Sequence, residues 1–240
     1  MRTLTQGSSG PDVVTLQTAL NGAINAGLTV DGRYGFDTGA AVYQFQDANW
    51  LVEDGVAGPC TQNALFGAET YLPILWNPHF IPQPTRQTCW AASTAMMTNT
   101  SVPVVQARTP ADLILPDGGL ANKSNTDDAF TDGQRFARAN GITLISAAAS
   151  VSLDYFRQAL ARGPVMLDML WNPKEYIEGR GSPGHMILVV GMRGDDDPSG
   201  KGTTVRVFDP WPPNVGDQSS FGFFKWINEV TTRTYQMFQR

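Results

Sequence analysis

Two cysteines and two histidines are the whole stock of thiols and imidazoles in this 240-residue chain. They are Cys60, Cys89, His79 and His185, so thiol–imidazole chemistry has four pairings to draw on. Cys89 opens the helical stretch CWAASTAMMTN, directly after Thr88, a residue type that can cap a helix. A thiol at a helix start lies near unsatisfied backbone N–H groups and the positive end of the macrodipole. Both favour the thiolate, which is the attacking species. An imidazole beside it adds to this, because thiolate and imidazolium stabilise each other. Such an imidazole must be brought in by another part of the fold.

His185 suits that role. It begins an apolar run, His185-Met186-Ile187-Leu188-Val189-Val190-Gly191, that reads as a strand, and a strand start faces a cleft edge more easily than a strand middle. Asp209 follows the next strand-like run, in Val207-Phe208-Asp209-Pro210-Trp211. If the two strands pair antiparallel across the polar turn 194–202, the end of the second comes beside the start of the first. Asp209 could then accept an imidazole N–H, fix the ring and favour its protonated form. Gln83 lies six residues before Cys89, and its side-chain NH₂ could join the Cys89 N–H in donating to a developing oxyanion. His79, ten residues before Cys89 in a proline-rich stretch, competes as the base, and Gln87 competes with Gln83. Cys60 reads as an unreactive thiol in a turn, and Asp195-Asp196-Asp197 as a solvated acidic turn rather than a calcium site. No cofactor and no metal are expected.

These residues must be carried by a sizeable domain. Thr88 and Cys89 start one helix, a helix near 129–139 ends at Gly141, and Ser152 caps another that stops at Gly163. Strands are expected at Pro164–Leu170, His185–Met192, Thr203–Phe208 and Phe221–Trp226. Residues 100–128, rich in Pro, Asp, Gly and Asn, read as an irregular surface loop. Helices come first and strands later, which predicts an α+β fold with a helical half and an antiparallel sheet half. The series Gln83-x5-Cys89-Trp90-Ala91-Ala92, Gly184-His185-Met186-Ile187-Leu188-Val189-Val190-Gly191 and Phe208-Asp209-Pro210-Trp211-Pro212-Pro213 resembles the papain-like cysteine peptidases. It is most similar to their bacterial branch of AvrRpt2-type effector proteases and C39-like bacteriocin-leader peptidases. The resemblance spans about residues 80–226. It implies Cys89 as nucleophile, His185 as general base, Asp209 as the residue that orients it and Gln83 as an oxyanion donor. Papain itself has Asn as third residue; Asp agrees better with the bacterial branch.

The first 67 residues are built differently. Asp31-Gly32-Arg33-Tyr34-Gly35-Phe36-Asp37-Thr38 is repeated as Asp54-Gly55-Val56-Ala57-Gly58-Pro59-Cys60-Thr61, with Asp, Gly, Gly and Thr recurring at an offset of 23 residues. Each copy reads as a glycine turn followed by a helix that the Thr could cap. Upstream, Pro11 opens a helix with Val13, Leu16 and Leu20 at helical spacing. The expectation is a small three-helix unit over residues 1–67. Its pattern, from Gly10, Asp12, Val13, Leu16, Gln17 and Leu20 through Val30–Gly32, Tyr34, Gly35 and Thr38 to Ala41, Val42, Phe45 and Gln46, resembles the peptidoglycan-binding domain attached to many bacterial wall enzymes. Most of these positions read as core and turn formers, and Asp31, Tyr34 and Gln46 are the candidate surface contacts. Residues 68–84 hold four prolines and read as a linker or an extended arm lying on the second domain, which then occupies residues 85–240.

Composition excludes other classes. Charged residues are 16% and the formal net charge is −5, with no Lys/Arg cluster, so nucleic acid is not an expected partner. No apolar run approaches the roughly 18 residues of a membrane span. The start, MRTLTQGSSG, lacks the apolar region of a signal peptide. Together the two resemblances imply a monomeric amide hydrolase, secreted or associated with the wall or periplasm, with peptidoglycan and a protein or peptide substrate as partners, and a secreted effector or toxin as one setting. Competing readings are a stem-peptide hydrolase, an acyl transferase using the same triad, and a wall-binding protein with an inactive second domain.

Overall fold

The computed structural model describes residues 2–121, 131–145, 152–170, 174, 178, 184–230 and 234–240. They group into two compact units that do not follow chain order. The first comprises residues 1–73, 192–206 and 220–226, and the second residues 74–191, 207–219 and 227–240.

In the first unit, α1 (Pro11–Ile24), α2 (Phe36–Ala48) and α3 (Pro59–Phe66) enclose Val13, Leu16, Leu20, Tyr34, Val42, Phe45 and Leu51. The repeat is visible in three dimensions. Gly32 and Gly55 both turn the chain at positive φ, 70° and 65°. Contrary to the sequence expectation, the repeat threonines do not cap their helices. α2 and α3 start earlier, at Gly35 and Gly58, with Pro59 at a position where its missing N–H costs nothing. Thr38 and Thr61 lie inside the first turn and face buried glutamines. Gln17 Nε2 donates to Asp31 Oδ1, Arg33 O and Thr38 Oγ1 at 3.0–3.1 Å, while its Oε1 accepts from Gly32 N. Gln46 repeats this on Asp54 Oδ1, Val56 O and Thr61 Oγ1 at 2.9–3.0 Å, and its Oε1 accepts from the Asp54 and Gly55 amides. Two expected surface contacts are therefore corrected: Gln46 is buried in this network, and Tyr34 is buried with its hydroxyl donating to Gly55 O. Asp31 is exposed, with its carboxylate held by Gln17 and the Arg33 amide.

The later segments of this unit add polar contacts. Arg193 forks onto Glu69 at 2.7 and 2.8 Å, donates to Asn49 O and lies 5.2 Å over the Trp50 ring. Asn63 donates to Asp195, whose turn therefore has a protein partner, and the Cys60 thiol donates to Lys201 O. Burial pushes the Cys60 thiol pKa up, against reactivity.

In the second unit, α4 (Cys89–Thr98) is buried at nearly every position, so its sequence has no amphipathic period. Around it lie α5 (Val102–Arg108), a short 3₁₀ turn at Ala111–Leu113, α6 (Asp132–Ala139) and α7 (Leu153–Arg162). Trp90, Phe136 and Phe238 stack edge to face at 5.8 and 5.7 Å at the centre of the core. Strands β1 (Ile74–Leu75), β2 (Thr143–Ile145), β3 (Val165–Leu170), β4 (Gly184–Arg193), β5 (Thr204–Asp209), β6 (Asp217–Gly222) and β7 (Thr234–Gln239) form an antiparallel sheet ordered β2-β7-β3-β4-β5-β6, with β1 added on β4.

Three sequence expectations change. Residues 100–128 are not all loop: α5 forms with a proline in its first turn, where proline is tolerated. Residues 122–128 lie outside the described residues, as do 129–130 at the start of the expected helix, which runs from Asp132 behind a Thr131 capping box. Phe221–Trp226 is not a strand. The strand ends at Gly222, and α8 (Phe223–Val230) follows because Phe223 and Trp226, three apart, are the buried pair. The proline-rich arm is ordered. β1 pairs with β4, the Trp76 indole donates to Leu160 O, and Phe80 packs on Phe208.

Candidate active site

The site residues all belong to the second unit. Cys89 is the first residue of α4, buried, with a free thiol. Thr88 occupies the cap position without capping. Its hydroxyl donates to Thr85 O and accepts from the Thr85 amide. The amides of the first turn, including that of Cys89, have no partner within the helix by position. They remain, with the positive end of the helix, for whatever charge develops at Cys89.

Antiparallel pairing carries His185 to the start of β4 and Asp209 to the end of β5. His185 Nε2 lies 2.7 Å from Asp209 Oδ1. The same oxygen accepts the Trp211 N–H at 2.8 Å. Sequence reasoning missed that second bond, although an Asp followed two residues later by a free amide is the signature of an Asx turn. With Nε2 on Asp209, Nδ1 is the ring atom left for the thiol. Burial of His185 lowers its pKa, but hydrogen bonds from the ring to Asp209 and to Cys89, with both negative charges, outweigh this and raise it to about 9. The imidazolium is thus held at neutral pH between a carboxylate and a thiol, the condition under which a thiol gives up its proton.

Gln83 is fully buried. Its side-chain NH₂ donates to Thr85 O at 2.6 Å, and its Oε1 has no partner. One N–H of that amide stays uncommitted. Its backbone donates to Pro210 O and accepts from Asn214 N, so Gln83 bridges the cap of α4 and the loop after Asp209. The competing residues His79 and Gln87 are both exposed. Among the described residues there is no cluster of His, Cys, Asp and Glu fit to hold a metal, and no helix long and apolar enough to cross a membrane.

The model of papain-like cysteine proteases of the AvrRpt2 type matches residues 77–228, more than half of the chain. The chain belongs to that family. Residues 9–65 match the model of a peptidoglycan-binding domain. A curated relative, the zinc D-Ala-D-Ala carboxypeptidase of Streptomyces albus G, is 46% identical over 66 residues, 27% of this chain and 26% of the relative. The chain thus spans about a quarter of the length of that relative. Among solved structures, the SleB N-terminal domain is 36% identical, covering 28% of this chain and 92% of its own, with a TM-score of 0.27. A C39-like peptidase from Bacillus anthracis is 12% identical over 71% of this chain and 98% of its own, with a TM-score of 0.43.

The first unit has a cavity of its own. A cavity of about 480 Å³ is lined by Tyr34, Phe36, Tyr43, Gln44, Asp54 and other residues of the repeat turns. Phe36 is 80% exposed and Tyr43 46%. Sequence reasoning chose Tyr34 here but passed over Phe36 and Tyr43, whose exposure on a helix that already has a full apolar face was the available signal.

Proposed function

We propose that the protein is a cysteine peptidase that hydrolyses amide bonds at the bacterial wall. Cys89 attacks the carbonyl carbon as thiolate while His185 holds the proton. The oxyanion is met by the Cys89 backbone N–H and the uncommitted N–H of Gln83. His185 then protonates the leaving amine, and water, deprotonated by the same ring, releases the acyl group from sulfur. Asp209 keeps the ring oriented and its charge balanced throughout. The observation that supports this reading best is the 2.7 Å bond between His185 and Asp209 with the helix-start Cys89 on the same ring. The first unit brings the enzyme to peptidoglycan, with the cavity beside Tyr34, Phe36 and Tyr43 receiving a wall fragment. An extracytoplasmic location and an effector or toxin role suit both halves.

The test incubates the full chain and Cys89→Ala with peptidoglycan and, separately, with unfolded protein, and reads products by mass spectrometry. Cys89-dependent cleavage of either supports the reading and names the substrate class. Identical product profiles for the two proteins on both substrates would sink it.

A further inference from the structure

The segment entering α4 holds more than the helix it precedes. Gln83 N–H donates to Pro210 O at 3.0 Å, and Asn214 N–H donates to Gln83 O at 2.9 Å. Three residues earlier, the Phe80 ring packs edge-on against Phe208, with centroids 5.4 Å apart and planes at 83°. The tip of the same ring lies against Gly216, at φ +65°. A Cβ at 216 would overlap the tip of the Phe80 ring and stand 3.0 Å from the Asp209 carbonyl oxygen. The Val215 and Gly216 amides both donate to Pro212 O, closing the turn that brings Gly216 back against Asp209. Residues 80–83 thus grip both ends of the loop 210–216, by backbone at Pro210 and Asn214 and by an aromatic ring at Gly216.

That loop governs the carboxylate. Asp209 Oδ1 accepts from His185 and from Trp211 N–H at once, so its position depends on where residue 211 stands. The Asp209 side chain is 32% exposed and has solvent to turn into, while His185, at 6%, has not. A loosened loop would let the carboxylate swing out and leave the ring buried without its counter-charge.

We infer that Phe80 is a positioning residue for the reaction: its ring fills the space a side chain at 216 would need and so pins the loop that holds Asp209 against His185. This rests on the Cys89–His185–Asp209 reading. Among the described residues, the titratable groups interacting with the His185 ring are Cys89 of α4 and Asp209 of β5. Asp168 of β3 is the further carboxylate nearby, with Oδ1 3.3 Å from where a Cβ on Gly184 would stand.

The experiment uses the full chain with His79→Asn, so that one imidazole remains. It compares Phe80→Ala, Phe80→Leu, Gly216→Ala and the double variant Phe80→Ala/Gly216→Ala, with Val105→Ala as a core change remote from the loop. The His185 ring is titrated by NMR, and Cys89 alkylation by iodoacetamide is followed against pH. Phe80→Ala and Gly216→Ala should each lower the His185 pKa by about one unit and slow alkylation at pH 7 roughly tenfold. Phe80→Leu should restore most of both. The double variant should be no worse than the poorer single one, since removing the ring frees the space at 216. Val105→Ala should lower the melting temperature with the wild-type titration intact. Wild-type titration in Phe80→Ala and Gly216→Ala, or the same shift in Val105→Ala, would overturn the inference. If Gly216→Ala does not fold, the two Phe80 variants decide. A parent chain whose Cys89 reacts no faster than a simple thiol at pH 6 would instead remove the catalytic reading beneath it.

Discussion

Gln46 and Gln83 are both buried glutamines, and the two units use them in opposite ways. Gln46 spends its whole amide: its NH₂ reaches three acceptors and its oxygen takes two backbone amides. Gln17, one repeat earlier, likewise reaches three acceptors and takes one backbone amide on its oxygen. Gln83 spends one donor on Thr85 O and leaves its oxygen unpaired. A buried polar group with every bond made belongs to the architecture; one with capacity left over is held for something not yet there. The comparison separates a glutamine wholly used by the repeat turns from one that keeps a donor and an acceptor free beside Cys89.

The contrast can be broken by experiment. The largest effect is expected at the nucleophile. Cys89→Ala should abolish product formation over several orders of magnitude while barely moving the melting temperature, checked by mass spectrometry and calorimetry side by side. Next comes Gln46→Ala, which strands two backbone amides, the Asp54 carboxylate and Thr61; about 2–4 kcal/mol of stability should go, read by urea denaturation. Its Cys89 alkylation rate should match wild type. Gln83→Ala should show the reverse pattern, with turnover down about 10²-fold and a smaller loss of stability. Equal destabilisation by Gln46→Ala and Gln83→Ala, with turnover intact in the latter, would erase the distinction.

A finer effect concerns pH. The folded-state pKa of His185 is raised, so the stability it contributes is fully present below its ordinary value of 6.5 and is lost as pH rises through about 9. Urea midpoints should therefore fall more between pH 7 and 9.5 in wild type than in Asp209→Asn. The smallest effect belongs to the cavity of the first unit. Phe36→Ala should cut co-sedimentation of the full chain with insoluble peptidoglycan several-fold and leave its melting unchanged, because the ring is exposed.

Much of this was legible in the residues. The 23-residue repeat announced two of the three helices and the spacing after Pro11 the other, and the chain order Cys89, His185, Asp209, with a polar turn between the last two, implied the juxtaposition that β4 and β5 create. The threonine roles were misread because Thr before a helical pattern suggests a cap, whereas Gly58-Pro59 was the truer start signal. The helix at Phe223 was hidden by aromatic residues that favour strands, although the spacing of Phe223 and Trp226 carried the helical period. The grip of Phe80 on Gly216 could not be read at all. It joins residues far apart in sequence, and only the fold sets the distance between them.

Arg193 and Glu69 are separated by 124 residues. Their fork has a consequence in time. At about 5–20 residues per second, synthesis takes roughly 6–25 s to deliver the arginine after the glutamate. The three helices can bury their shared core in that interval, since it is drawn from Leu4 to Ala57. Glu69 must wait without its cation, the Trp50 indole without the guanidinium that covers it, and the Trp50 carbonyl without Ser220. The growing polypeptide thus carries a bundle with one flank unfinished until residues 193 and 220 are made.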